Sequence, residues 1–566
     1  MLISHLLCLV IVLLTSMPAL QSPRLEADDY RYIHHIRQVE AGRMDLAEAT
    51  VVENRWDHLW FMQEEGKVRF FRPTVIASYA LDLKAWGGRY PLGLTVSNVW
   101  IHLLCCWLVG FILHRVIGAG WAAVGGAVIF ASLAAHSECI WYIAGRTDSL
   151  AALGFLSAWA LHLSGRRWSA LPFFVFGLVT KELVIVAPVI FAAYDGWINR
   201  RRPDGKLYSA YGAAALLVLA IKHIALGGAG SDFVYPYLIS PLRPEFPQHL
   251  WLQLRSYAGN LMAAEVTVPF ADAATVSAIH HPVFPILGIL LLLLVVWSFR
   301  KDRRLWLLLL AGFLTWLPTS FVYLSERYLY LPSAAFAGLL ALAFSRDSKG
   351  WKSWSVGLLF IFALFQASRL YRRHHAIAGQ PGSVAEMIRQ VEPVRPELDG
   401  ADRLLLVNLP GQFVRAQFVQ DIFRVVLNDP ELEVTVLTMM PGQNGTLWKP
   451  GDAYPVMGAG VQVQAAKPDR LLLTGRVVGI GQPPHTVQEP GLKAFAWVPL
   501  DAGTSRTDLF TIEVLGGTPA GATGLDFNFF QPLENAAVLI WRADCIDLNA
   551  HPWDRRAGAE VSVQRF

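Results

Sequence analysis

The sequence predicts an all-α polytopic membrane domain of about eleven transmembrane helices, followed by a soluble α/β, β-rich C-terminal domain. Three observations carry that reading. Hydrophobic residues make up 54% of the 566-residue chain and charged residues only 16%, far from the balance of a soluble domain. About eleven apolar segments are long enough, or nearly so, to cross a bilayer core, which asks for ~20 helical residues. Beyond about residue 372 the polarity becomes ordinary, and short strand-like runs with Gly and Pro turns replace the long apolar stretches.

The apolar segments fall at about 1–20, 96–114, 118–135, 148–164, 168–180, 183–198, 208–226, 283–299, 305–323, 329–345 and 353–371. If they alternate, one side collects Arg115, Arg166-Arg167, Arg200-Arg201-Arg202 with Lys206, Arg300-Lys301 with Arg303-Arg304, and Arg346 with Lys349 and Lys352. The positive-inside rule makes that side the cytoplasm. The outer face then holds the loops 21–95 and 227–282 and everything after 372. Met1–Ala19 contains neither Lys nor Arg, and suits either a retained first span or a signal peptide ending near Ala19. Both leave Asp28 outside, and a retained helix would hold it at the membrane surface.

The net charge of +4 comes from short clusters, not from one basic face, so the chain offers no nucleic-acid surface. Its cysteines, Cys8, Cys105, Cys106, Cys139 and Cys545, show neither a disulfide framework nor metal-ligand spacing. No metal and no cofactor is expected.

A membrane domain at 1–372 and a tail domain at 373–566 meet at a basic segment, Arg369, Arg372, Arg373, His374 and His375. The tail reads as a helix near 383–392, a buried strand Leu404-Leu405-Leu406-Val407, an amphipathic helix at about 412–427 and a second strand Glu433-Val434-Thr435-Val436-Leu437. That is a small α/β unit. From about 453 onward, runs such as Arg470–Leu473, Phe510–Val514 and Val538–Trp541 suggest β structure. No repeats are found, and Gly479-Ile480-Gly481 is too short a pattern for a phosphate loop.

Polar motifs gather on the outer side. Asp28-Asp29 follows the first apolar segment. Phe70-Phe71-Arg72-Pro73, Tyr79, Asp82 and Trp86 lead into Asn98 and His102, and Arg72 is a cation placed to meet a lipid phosphate. Next come His136-Ser137-Glu138 and Gly145-Arg146-Thr147-Asp148, where Arg146 either pairs with Asp148 or Glu138 or contacts a ligand. Lys181-Glu182 interrupts an apolar stretch, where each charge would cost ~2.5–3.5 kcal/mol in lipid. Neighbours on a helix point different ways, so each is expected to have its own partner. Finally Glu326-Arg327-Tyr328-Leu329-Tyr330-Leu331-Pro332 offers a guanidinium fork suited to phosphate, with Tyr328 and Tyr330 able to line a sugar or isoprenoid site. A Glu326–Arg327 charge pair is the plainer account of that turn.

Taken in this order on one membrane side, these motifs resemble the GT-C type multi-span glycosyltransferases. Among them the chain is most similar to the transmembrane O-mannosyltransferases with tetratricopeptide tails and their bacterial relatives. The resemblance covers about 1–345, but tetratricopeptide repeats are absent. His-Ser-Glu also stands where family members often show a longer His-x-x-x-Glu.

The resemblance implies a sugar, mannose-like by preference, moved from a polyprenyl-phosphate donor to a protein or glycan hydroxyl on the extracytoplasmic face, within membrane lipid. It implies Asp28 as the catalytic residue, and Asp29 is expected to assist. Chemistry asks for cations at the departing phosphate, and Arg327, Arg146, Lys181 and Arg72 are the candidates. His136, Glu138, Asp148, Glu182, Tyr328 and Tyr330 are expected to bind substrate or to hold the site. Two other classes remain open, a lipid-sugar flippase or transporter, and a membrane anchor that displays the tail.

Overall fold

The structure is a computed structural model that describes residues 2–54, 62–64, 68–118, 120–227, 240–244, 246–264, 282–322, 324–345, 351–379, 383–410, 418–440, 456–457, 462–474, 477–478, 495–497, 504–506, 510–515, 524–543 and 559–565. Most of 227–282, Arg346, Lys349, Gly479-Ile480-Gly481 and Cys545 lie outside the described residues.

Helix α1, Leu2–Gln21, carries no charge and buries Cys8, Val12, Thr15 and Ala19 along one stripe. Leu6, Leu13 and Leu14 on its other side stay exposed, as a lipid-facing surface requires. Each of the other ten expected segments is also helical at least in part. Among the described residues, Leu2–Gln21, Pro73–Ile117, Gly205–Ala225 and Arg303–Phe321 are long and apolar enough to cross a membrane. A fifth candidate is the pair Gly120–Ser132 and Ala134–Trp141, bent by 48°. The chain is an integral membrane protein.

The remaining segments are shorter for local reasons. The helix Ala170–Thr180 stops at Lys181, whose backbone is extended (φ −155°, ψ 139°). The segment expected at 183–198 splits into a 3-10 turn, Glu182–Val186, a short α-helix, Ala187–Ala193, and a π-turn, Tyr194–Ile198. Pro188 opens the middle piece, where its missing N–H costs least. Helices Arg146–Leu163 and Ala170–Thr180 touch at glycines: a Cβ on Gly154 would lie 2.7 Å from the Gly177 Cα. Small residues let helices in lipid approach closely.

The span expected at 21–95 as a loop is substantially structured. Helix α2, Asp28–Glu40, leads to an antiparallel pair, Val51–Asn54 with Val68–Phe71, and then to the helix Pro73–Trp86. At the other end, the helix Trp351–Ala378 runs past the expected joint at 372. Its basic residues are used inside the fold: Arg373 is buried and bonds Glu326 Oε2 (2.7 Å) and the Ala134 carbonyl (3.0 Å).

Strands occupy the C-terminal region. One mixed sheet runs Ala559–Arg565, Ala536–Ala543, Arg403–Val407, Glu433–Val436, antiparallel at the first pair and parallel at the other two. The parallel connection from Arg403–Val407 to Glu433–Val436 carries the helix Val419–Val426, as parallel crossovers require. A five-stranded antiparallel sheet is ordered Thr504–Arg506, Phe510–Leu515, Gly524–Phe529, Arg470–Thr474, Gln462–Lys467. The apolar side of α2, with Tyr30, Ile33 and Ile36, shares one buried cluster with Val419, Ile422 and Phe423.

Candidate functional site

Asp28 and Asp29 open α2, where the helix N-terminus favours negative charge. Their surroundings differ. Asp29 is fully buried; the Tyr79 hydroxyl donates to its Oδ1 (2.6 Å) and the Glu26 amide to its Oδ2 (2.8 Å). Burial pushes its carboxyl up to about 7 against the opposing pull of those two hydrogen bonds. Asp28 is only half-buried, and its Oδ2 accepts a hydrogen bond from the Tyr142 hydroxyl. Just before the pair, Ala27 holds φ +26° and ψ −100°, a costly conformation for an L residue of the kind that collects at functional sites.

Three turns are tied to one another, and one of them reaches Asp28 through Tyr142. Glu138, in the short helix Ser137–Trp141, accepts through Oε2 from Ser325 Oγ (3.0 Å) and the Arg327 amide (3.1 Å), and through Oε1 from Arg327 Nη1 (3.1 Å). Asp148 lies 3.7 Å from Arg327 Nε and accepts from Lys181 Nζ. Lys181 also sits 4.5 Å over the Tyr328 ring, while Arg327 lies 6.0 Å from the Tyr142 ring and 5.7 Å from that of Tyr328. Tyr142 therefore touches both the carboxylate side and the cation side. The side chains of Arg327 and Lys181 keep 15% and 14% exposure, so neither cation is sealed in.

A glycine makes this approach possible. A Cβ on Gly145 would fall 2.4 Å from the Glu138 carbonyl oxygen, so only glycine lets the turn before Arg146 lie against Glu138.

Beside this group Glu182, with 49% of its side chain exposed, accepts from Lys222 Nζ (2.6 Å) and from Arg72 Nη1 (3.4 Å). Arg72 is buried at the start of the helix Pro73–Trp86 and stacks 5.2 Å from the Phe70 ring. Lys181 and Glu182 thus have separate partners, as their neighbouring positions required.

Two expected pairings need correction. Arg146 pairs with neither Asp148 nor Glu138. Fully buried, it donates to Asn98 Oδ1 (2.9 Å), Asp82 Oδ2 (2.7 Å), Ser78 Oγ (3.2 Å) and the Leu94 carbonyl (2.7 Å), and lies 4.5 Å from the Tyr79 ring. Every guanidinium nitrogen is engaged within the protein, so a phosphate role for Arg146 does not fit this geometry. The Glu326–Arg327 pair is replaced by Glu326–Arg373 and Arg327–Glu138. Burial pushes the Glu326 carboxyl up to about 7 despite Arg373.

Tyr330 and His136 are fully buried below the site and line no open surface. Tyr330 Oη meets His102 Nδ1 (2.8 Å), and His136 Nε2 meets Ser333 Oγ (2.7 Å). Each bond joins separate segments of the chain.

Sequence reasoning missed Tyr142 and Lys222. Lys222 had a visible signal, a cation inside an otherwise apolar helix. Tyr142 had none, because its importance comes from where the turn points it. Among the described residues, no group of three or more His, Cys, Asp or Glu is placed to hold a metal ion. Cys8, Cys105, Cys106 and Cys139 are buried free thiols.

No family model matches the chain. Protein O-mannosyl-transferases Tmtc1 and Tmtc2 of Drosophila melanogaster are 27% and 24% identical over 139 and 147 residues, which cover 23% and 24% of this chain and 16% of each relative. A protein O-mannosyl-transferase of Caenorhabditis elegans is 24% identical over 329 residues, 54% of this chain and 46% of its own. The match thus spans less than half the length of each of these relatives. Among solved structures, ArnT from Cupriavidus metallidurans bound to undecaprenyl phosphate aligns over 78% of this chain and 86% of its own, at 13% identity and a TM-score of 0.44. That last likeness is too low to carry an argument. In sequence, the chain resembles the protein O-mannosyl-transferases at low identity, in keeping with the GT-C type motifs of its outer turns.

Proposed function

We propose that the chain is a membrane glycosyltransferase that moves a sugar, mannose-like by preference, from a polyprenyl phosphate to a hydroxyl of a protein or glycan on the extracytoplasmic face. The observation that supports this most is Tyr142, which bonds the half-buried Asp28 and lies 6.0 Å from the partly exposed Arg327, whose neighbour Asp148 also holds the partly exposed Lys181.

In the reaction, the acceptor hydroxyl oxygen bonds to the anomeric carbon while the bond from that carbon to the phosphate oxygen breaks. The phosphate leaves on its lipid with the electron pair, and Asp28 takes the hydroxyl proton. A carboxylate suffices as base, because the hydroxyl acidifies as its bond to the sugar forms. Arg327 and Lys181 meet the charge that gathers on the leaving phosphate. Glu138 and Asp148 hold those cations in place, and Arg72 with Lys222 holds Glu182 at the rim. Asp29, buried and hydrogen-bonded, fixes the first turn of α2 instead of taking the proton.

The test is to incubate membranes holding the chain with a panel of short-chain polyprenyl-phosphate sugars and to follow which is consumed. Asp28→Asn, which keeps shape and loses charge, should slow turnover ~10²-fold or more with little change in donor affinity. Full activity in folded Asp28→Asn would sink the assignment. Donor translocation without sugar transfer, surviving Asp28→Asn and Asp29→Asn, would select the flippase reading instead.

A further inference from the structure

Helix α2 is gripped from two sides. At its start the first turn is held by Tyr79 and Tyr142. From Arg31 onward it is held by the C-terminal region. Arg31, 4% exposed, donates through Nε to Asp421 Oδ2 (2.7 Å) and through Nη1 to the Glu53 carbonyl (2.6 Å), with its guanidinium 4.9 Å from the Phe418 ring.

Two further bonds follow along the helix, Arg37 Nη1 to the Val425 carbonyl (3.0 Å) and Gln38 Nε2 to the Pro430 carbonyl (3.0 Å). Tyr30, Ile33 and Ile36 pack into the same buried cluster as Val419, Ile422 and Phe423. Arg31 stands three residues after Asp28, less than one helical turn, so the bond to Asp421 fixes the rotation of the turn that presents the carboxylate.

We propose that the C-terminal region serves as a clamp on α2, with Arg31 and Asp421 as positioning residues that aim Asp28 at the acceptor. This rests on the reading of Asp28 as the base. A tail that merely hung from the membrane part, or only captured the acceptor, would not need a buried ion pair and two backbone-directed bonds to that helix. A buried pair is weak evidence for stability, and its best-attested use is to fix registry. An error of about 1 Å in a reacting group is enough to slow chemistry ~10²-fold.

The experiment uses the full-length chain in membranes with a short-chain polyprenyl-phosphate mannose. Asp421→Asn should lower kcat ~10-fold or more with donor KM unchanged, because the donor-side cations are untouched, and Asp421→Glu should recover part of the loss. The control is Asp526→Asn, which removes a fully buried carboxylate that is bonded to Arg470 in the five-stranded sheet and takes no part in the bonds to α2. It weakens the tail without touching the grip and should leave kcat within about twofold.

Equal losses in the two variants, or parental kcat in folded Asp421→Asn, would overturn the clamp. If Asp421→Asn does not fold, Gln38→Ala with Arg37→Ala decides: a lower kcat at constant donor KM supports the clamp, and parental kcat overturns it. The two proposals fail differently. An active Asp28→Asn removes the base assignment, whereas an inactive Asp28→Asn beside a fully active Asp421→Asn removes only the clamp.

Discussion

Replacing Arg146 by Lys separates a structural strut from a phosphate ligand. The substitution keeps the charge and allows one ammonium bond to Asp82. It deprives Asn98 Oδ1 and the Leu94 carbonyl of donors now at 2.9 and 2.7 Å, and Ser78 Oγ of one at 3.2 Å. Each buried polar group left without its partner costs ~1–3 kcal/mol, so with overlap the loss is about 3–6 kcal/mol. The measurement is the denaturation midpoint in detergent at one scan rate, since unfolding of a large membrane chain is read as a rate.

Arg146→Lys should lower that midpoint by about 5 °C or more. Arg327→Lys, whose side chain keeps 15% exposure, should move the midpoint little and raise the donor KM instead, because a point charge cannot fork around a phosphate. The reasoning is refuted if Arg146→Lys keeps the parental midpoint and weakens donor binding, since Arg146 would then be acting on the donor from a position where every nitrogen is already engaged.

Three other outcomes follow from the same geometry. Asp29 is protonated to a higher pH in the folded protein than its ordinary 3.8, so the folded state binds more protons than the unfolded chain between about 4 and 7. Its stabilising contribution is present below that window and is lost as pH rises through it. Asp29→Asn should therefore gain stability relative to the parent between pH 5 and pH 8, and a difference independent of pH would contradict the buried placement. Gly145→Ala puts a methyl 2.4 Å from the Glu138 carbonyl oxygen; it should lower both stability and turnover, and a variant equal to the parent in both would show that the turn relaxes freely. An export-dependent reporter fused after residue 372 should be active and one fused after Arg202 silent, and the reverse would place the whole site on the cytoplasmic side.

How much of this was legible in the sequence depended on distance along the chain. The apolar segments were visible because each is a local run, and the separate partners of Lys181 and Glu182 followed from adjacent positions alone. The identity of those partners did not: Asp148 and Lys222 come from other helices, 33 and 40 positions away. Arg146 and Arg327 look alike in sequence, each a guanidinium in a polar outer turn. What divides them is that the helix Pro73–Trp86 and the helix Tyr90–Ile117 close over one with Asp82, Asn98 and the Leu94 carbonyl. The grip on α2 was beyond reach for the same reason, since Arg31 and Asp421 are 390 positions apart. The break at 183–198 was signalled by Pro188, but the choice of 3-10, α and π turns there depends on packing.

The contact of Gly154 with Gly177 sets a caliper for whatever enters the site. The two helices meet backbone to backbone, so neither can roll or close further without collision. Asp148 heads one helix, and Lys181 follows the end of the other. The interval between them is therefore a fixed gauge, and under the proposed donor role of Lys181 the change of partner from Asp148 falls to its flexible side chain while the helices stay put. A larger residue at Gly177, where even a Cβ would lie 3.2 Å from the Ala151 carbonyl oxygen, would press the two helices apart and reset that gauge.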